Sequence, residues 1–157
     1  MKIILLMVGK TSMKYVEEGF DLYVKRIMHY LPFEVEIIPD IRNSKNLTTE
    51  QIKQQEGESI LKRIHLNDEV ILLDEHGEMY SSLEFSSFLE KRVQKGVKRL
   101  VFIIGGAYGF SPEIYASAHG KISLSKMTFS HQMVRLIFAE QLYRAFSILH
   151  NEPYHHE

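Results

Sequence analysis

Apolar residues fall along this chain in short dense runs separated by longer stretches of helical spacing. Lys2–Val8 is almost continuously apolar, as a strand buried on both faces requires. Val70–Leu73, Leu100–Ile104 and Lys121–Leu124 are further runs of this kind. Phe33–Pro39 instead alternates Phe33, Val35 and Ile37 against Glu34 and Glu36, the pattern of a strand with one wetter face, near a sheet edge. The stretches between follow a period of about 3.6 residues. Ser12 is placed to cap a helix bearing Tyr15, Val16, Phe20, Tyr23, Val24, Ile27 and Met28, which Pro32 ends. Asp40–Asn46 reads as a polar loop. Thr48 or Thr49 starts a helix with Ile52, Ile60, Leu61 and Ile64 on its apolar side. Its charged residues, Glu50, Lys53, Glu56, Glu58, Lys62 and Arg63, read as a solvated face. Asp74–Gly77 reads as a turn. Ser82 begins a helix that stops at Gly96. Ser111-Pro112-Glu113 supplies an N-cap, a first helical residue and an acid matched to the dipole for a short helix. Ser125–Ser130 is a loop, Ser130 caps a last helix reaching about Leu149, and Asn151–Glu157 is a polar tail.

Strand and helix thus alternate five times, which predicts an α/β fold: a parallel sheet with helices on both faces. At 157 residues, 45% of them hydrophobic, one domain spanning 1–157 with one packed core is expected. There is no cysteine, which excludes a disulfide scaffold and thiolate zinc sites. The apolar run Ile3–Val8 is too short to span a bilayer, and no signal-peptide pattern surrounds it, so a cytoplasmic protein is expected. The net charge of -1 argues against a generic nucleic-acid binder. Any RNA binding must come from a local patch, from symmetric pairing of patches, or from a partner that supplies affinity.

Ligands of open parallel sheets bind at the carboxyl ends of strands, which singles out Leu73–Gly77, Gly105–Gly109 and Leu124–Ser130. Gly105-Gly106-x-x-Gly109 lets backbone approach a ligand, yet it is neither a dinucleotide fingerprint nor a P-loop, and an ordinary strand-to-helix turn accounts for it as well. Ser125–His131 joins a short strand to a helix N-terminus and exposes backbone groups able to read an adenine edge. His131 lies in the first turn of that helix; taken alone, it is more simply a histidine satisfied by local hydrogen bonds. Arg135 and Arg144 are nine residues apart, near opposite faces of the helix, and Glu140 is spaced to pair with Arg144. Pro153-Tyr154-His155-His156 sets an aromatic beside two histidines, but without a third ligand at useful spacing the pair does not make a metal site. Met7, Met79, Met127 and Met133 read as core fillers.

Taken together, Phe102–Gly109, Ser123–Phe129, His131–Arg135, Glu140–Ala145 and Pro153–His155, with Met1–Lys10 and Glu56-Gly57-Glu58, resemble one family along the whole chain. It is the ribosomal RNA large subunit methyltransferase H family of the SPOUT class. The resemblance implies a C-terminal trefoil knot, which periodicity does not show and general topological rules disfavour. It also implies S-adenosylmethionine as cofactor and a homodimer whose interface helps to build the site. The implied substrate is N3 of pseudouridine 1915 in 23S rRNA of the assembled ribosome, with no role for DNA or membrane. Carried over residue by residue, Leu73, Gly105, Gly106, Leu124, Ser125, Lys126, Met127, Thr128 and Phe129 would hold the cofactor. His131, Arg135, Arg144, Tyr154 and His155 would surround the transferring methyl and the RNA.

Two positions depart from the family pattern. Ser130 stands where proline is common, and serine still caps a helix. His156 stands where arginine or lysine is usual, and an imidazole is less cationic near neutral pH than either. For a methyl transfer to N3, His131 or His155 is placed to accept the proton and Arg135 or Arg144 to stabilise the resulting anion. Two other classes remain compatible with the pattern: a doubly wound module that holds a nucleotide or flavin without chemistry, and a ribosome-associated factor with a vestigial site.

Overall fold

Along the first strand, Ile3, Leu5 and Met7 belong to one core and Ile4, Leu6 and Val8 to another, and all six are buried. A strand with two buried faces needs a layer on each side, and the computed structural model, which describes residues 1–156, has both. Glu157, the last residue of the expected tail, lies outside the described residues. The elements are β1 (Lys2–Val8), α1 (Lys14–Ile27), β2 (Phe33–Ile38), α2 (Thr49–Leu61), β3 (Glu69–Met79), α3 (Ser82–Gln94), β4 (Arg99–Ile104), α4 (Pro112–Ser117), β5 (Gly120–Ser123) and α5 (Met133–Leu149). The sheet runs β2-β1-β4-β3-β5 and every pair is parallel. β2 lies at one edge, as its alternating pattern predicts. Phe20, Phe85, Phe88, Phe138 and Leu142 place α1, α3 and α5 on one face; Ile60 and Ile114 place α2 and α4 on the other. Phe102 of the central strand packs its ring 4.9 Å from that of Phe138 and anchors the larger core. No helix is long and apolar enough to cross a membrane among the described residues.

The expected starts hold where the cap is local. Thr48 and Ser81 each form a reciprocal capping box, with Gln51 and Glu84, and the Ser111 side chain accepts from the Ile114 N–H. Two starts differ. Ser12 does not cap α1: Met13 holds the cap position without a side-chain bond. The Ser12 N–H instead donates to Gln132 Oε1 at 2.8 Å, so a residue from the far end of the chain holds this segment. Ser130 Oγ does accept from the Met133 N–H at 3.1 Å, but His131 and Gln132 form a turn and regular helix begins only at Met133.

β3 extends beyond the expected Val70–Leu73. Leu73 pairs with Ile122, Asp74–Gly77 leave the ladder, and Glu78 then returns to the same Ile122. The expected turn is thus a bulge within one strand, and the chain re-pairs beyond it. The polar tail is not loose either. Asn151 takes a left-handed conformation (φ 55°) and reverses the chain, and the Glu152 N–H bonds back to the Ser147 carbonyl at 2.9 Å. Tyr154 consequently packs edge-on to Tyr143, with centroids 4.7 Å apart.

Candidate active site

The bulge in β3, the glycine turn after β4 and the loop after β5 meet at the carboxyl end of the sheet. Because β3 lies between β4 and β5, the three turns are neighbours, and they enclose a cleft of about 590 Å³. That lies within the usual range of about 300–1,000 Å³ for small-molecule sites. Of the residues expected to hold a cofactor, Leu73, Gly105, Gly106, Leu124, Ser125, Met127, Thr128 and Phe129 line the cleft, while Lys126 is exposed and does not. His131 stands on the rim.

Each turn is held by its own chemistry. In the bulge, the His76 N–H donates to Asp74 Oδ1 at 2.8 Å. The hydroxyl of Tyr115, from α4, donates to Asp74 Oδ2. Burial, and then this bond to Asp74, push the Tyr115 phenol up to about 12, so it remains a donor at neutral pH. In the glycine turn, the Gly109 N–H closes on the Gly106 carbonyl at 3.2 Å. In the third loop, Ser123 Oγ donates to the Ser125 carbonyl at 2.9 Å and Ser125 Oγ accepts from the Met127 N–H at 2.9 Å. The walls are therefore largely backbone, shaped by short side chains, with Phe110 and Ile122 at the apolar floor. Backbone walls with an apolar floor suit a flat heterocycle carrying polar edges.

Of the five residues expected around the methyl and the RNA, four do not reach the cleft. Arg135 is fully buried and turned toward β1: it donates to the carbonyls of Val8 (2.7 Å) and Gly9 (2.9 Å), to Thr11 Oγ1 and to the His131 carbonyl. Its guanidinium ties the last helix to the exit of the first strand, away from the cleft lining. Arg144, Tyr154 and His155 form a separate cluster farther along α5. Arg144 Nη2 pairs with Glu140 Oε1 at 2.5 Å, and its guanidinium lies over the Tyr154 ring at 4.7 Å. The Tyr154 hydroxyl donates to the same Glu140 oxygen at 3.1 Å and lies 3.2 Å from that of Tyr23. Burial, with Tyr23 and Glu140, holds the Tyr154 phenol well above its ordinary range. Arg144 Nη1 is 3.3 Å from His155 Nδ1. A guanidinium can only donate, so Nδ1 is the acceptor in this contact.

Two cleft residues, Lys53 of α2 and Tyr115 of α4, carry no mark in the sequence. Both come from helices on the far face, and only the tertiary fold brings them to the strand ends. Asp74, Glu75 and His76 were within reach, since they directly follow a strand that ends at the site.

Comparison with known proteins identifies the family to which this fold belongs. The model of a family described as "Predicted SPOUT methyltransferase" matches residues 1–155. A protein of Parabacteroides distasonis named Ribosomal RNA large subunit methyltransferase H is 57% identical over 157 residues, all of both chains. One of Christiangramia forsetii with the same name is 57% identical over 156 residues, 99% of each chain. Among solved structures, a probable methylase family protein from Haemophilus influenzae aligns with a TM-score of 0.52 at 12% identity, over 99% of this chain and 70% of that one, a likeness of fold alone. The trefoil knot is a property that such relatives imply. With a family model spanning nearly every residue and relatives of equal length more than half identical, the chain belongs to the SPOUT methyltransferase family.

Proposed function

We propose that this protein transfers a methyl group from S-adenosylmethionine to N3 of pseudouridine 1915 of 23S rRNA, in the assembled ribosome and in the cytoplasm where ribosomes are found. The observation that carries the reading is the convergence of three strand-end turns on one cleft with His131 at its rim. The names of the full-length relatives supply the rRNA. When bound, the cofactor supplies a methyl carbon activated by a positively charged sulfur.

The remaining work falls to side chains and backbone. Leu73, Gly105, Gly106, Leu124, Ser125, Met127, Thr128 and Phe129 hold the adenosyl part and exclude water, which aligns the reactants. N3 of the base carries a proton and becomes a nucleophile when that proton leaves. His131 accepts it; His155 is less suited, because its Nδ1 faces the Arg144 guanidinium. Arg144 stabilises the anion that forms on the base. Val134 lines the cleft and Arg144 follows it by ten positions, or about 15 Å along the helix axis. The arginine at each cleft therefore comes from the second subunit of a homodimer. The pairing of a cleft with a partner's cluster of Arg144, Tyr154 and His155 brings one guanidinium and its hydrogen-bonding neighbours to the base.

The test uses Arg144→Ala. Methylation of rRNA should fall at least a hundredfold, while calorimetry shows cofactor affinity changed by less than about threefold. Cofactor affinity lost in step with activity would contradict the division between cleft and cluster. Mass spectrometry of rRNA from a deletion strain decides the substrate: the methyl on that pseudouridine should be missing.

A further inference from the structure

Glu56 of α2 is a carboxylate buried where a solvated helix face was expected. Only 7% of the residue is exposed, and its Oε1 has no hydrogen-bond partner among the described residues. The helix turns this side chain onto the loop after β4. A Cβ added at Gly106 would lie 2.6 Å from Glu56 Oε2 and 2.9 Å from Oε1, so the carboxyl occupies the space that any larger residue would need. The next residue, Gly57, lies equally close to Ser111, where the same loop enters α4. α2 therefore grips the glycine turn that lines the cleft, with Glu56 against Gly106 and Gly57 against Ser111, while Lys53 of the same helix reaches the cleft itself.

A buried acceptor without a donor is costly and rare in folded proteins. The backbone against which it is pressed is the wall of the site. We propose that Glu56 is the positioning residue of this wall: its carboxylate takes a hydrogen bond from a backbone N–H of the Gly106–Tyr108 turn as the turn closes on the methyl donor, and holds it there. The inference rests on reading the cleft as the methyl-donor site.

The electrostatics give it a signature. Burial, and then the nearby Asp40, push the Glu56 carboxyl up to about 7. Asp40, from the loop after β2, is the charge that faces it. On α2 itself, Lys53 pairs with Glu50 at 3.0 Å. From α5, Arg135 is engaged by the carbonyls of Val8 and Gly9. Gly106 and, from α4, Ser111 and Ile114 bring no charge. A donated N–H favours the carboxylate, so closure lowers the pKa and releases a proton. Binding then tightens as pH rises through about 7, the sign required when the bound state holds fewer protons.

The experiment compares the full-length protein with Glu56→Gln, a neutral isostere. In the ligand-free protein, the amide resonances of Gly106 and Ala107 should titrate with a midpoint near pH 7, and in Glu56→Gln they should not. Calorimetry with S-adenosylhomocysteine in buffers of different ionisation enthalpy should show proton release for the native protein that the variant lacks. The native Kd should weaken up to about tenfold between pH 8 and pH 6 and that of Glu56→Gln by less than about twofold. His76, His131, Asp74 and Glu75 of the cleft are common to both proteins and cancel in the difference. Flat amides in the native protein, or equal proton release in both, would overturn the proposal. If Glu56→Gln fails to fold, Asp40→Asn decides: removing the charge that faces Glu56 should move the amide midpoint of Gly106 and Ala107 down, and an unmoved midpoint would overturn the proposal. Titrating amides without any binding of S-adenosylhomocysteine would leave the coupling of Glu56 to the loop and refute the cofactor reading instead.

Discussion

Arg135 shows how one residue type can serve two ends that sequence spacing does not separate. An arginine on a helix that leaves an active-site loop fits catalysis and fits scaffolding equally well. The deciding fact is the direction of the guanidinium, which donates to the Val8 and Gly9 carbonyls. Burial lowers its pKa somewhat, with Asp40 opposing, yet an arginine remains charged. Arg135→Ala should therefore cost about 3 kcal/mol of stability, because buried carbonyls lose their donors. Chemical denaturation measures this; unchanged stability with lost methylation would return Arg135 to the chemistry. Glu56 is the converse case. Its neighbours Glu50, Lys53 and Glu58 make a charged run, and nothing local marks the one member that faces Gly106 instead of water. Lys126 errs the other way: five neighbours in its loop line the cleft, and its own side chain turns outward.

Among the elements, those fixed by local chemistry were legible. Continuous apolar runs gave the strands, and Thr48, Ser111 and the Gly96 stop gave helix ends. What stayed hidden was set by partners distant in sequence. The start of α1 depends on Gln132, and the second half of β3 depends on Ile122. Three cleft walls were legible because strand ends in parallel sheets are a general address for ligands. A distant partner also fixes the β3–β4 pair at its beginning. Asp68, with its side chain 1% exposed, accepts from Arg99 Nε at 2.7 Å and from the His65 N–H at 2.8 Å. Burial alone would raise this carboxyl, but the Arg99 and His65 bonds outweigh it and hold it below its ordinary value. A depressed folded-state pKa stabilises above the unfolded value, about 3.9, and the contribution is lost as pH falls through the folded one. Asp68→Asn should cost about 2 kcal/mol at neutral pH and progressively less below about pH 4. A deficit that persists unchanged into acid, measured by urea unfolding, would show that the loss is not electrostatic.

For the molecule as a whole, Arg144 follows the cleft residue Val134 by ten positions on α5, about 15 Å along its axis, and the proposed split of each site between two subunits has a direct test. Arg144→Ala and a variant with a bulky residue at Gly105 should each be inactive alone and should regain activity when co-expressed. Random pairing makes half the dimers mixed, with one complete site of two, so about a quarter of native methylation is expected. No recovery in purified mixed dimers would place both halves of a site on one chain. Finally, the clamp between the last helix and the first strand reaches across 126 and 127 positions from Arg135, and Gln132 adds ties across 120 and 122. Closing so long a loop is repaid only when the final helix docks. A growing polypeptide can therefore pair its opening strand with β2 and β4 but leaves the exit of that strand, Val8 to Ser12, without this clamp until translation has all but finished. Copies that stop short of α5 never gain it.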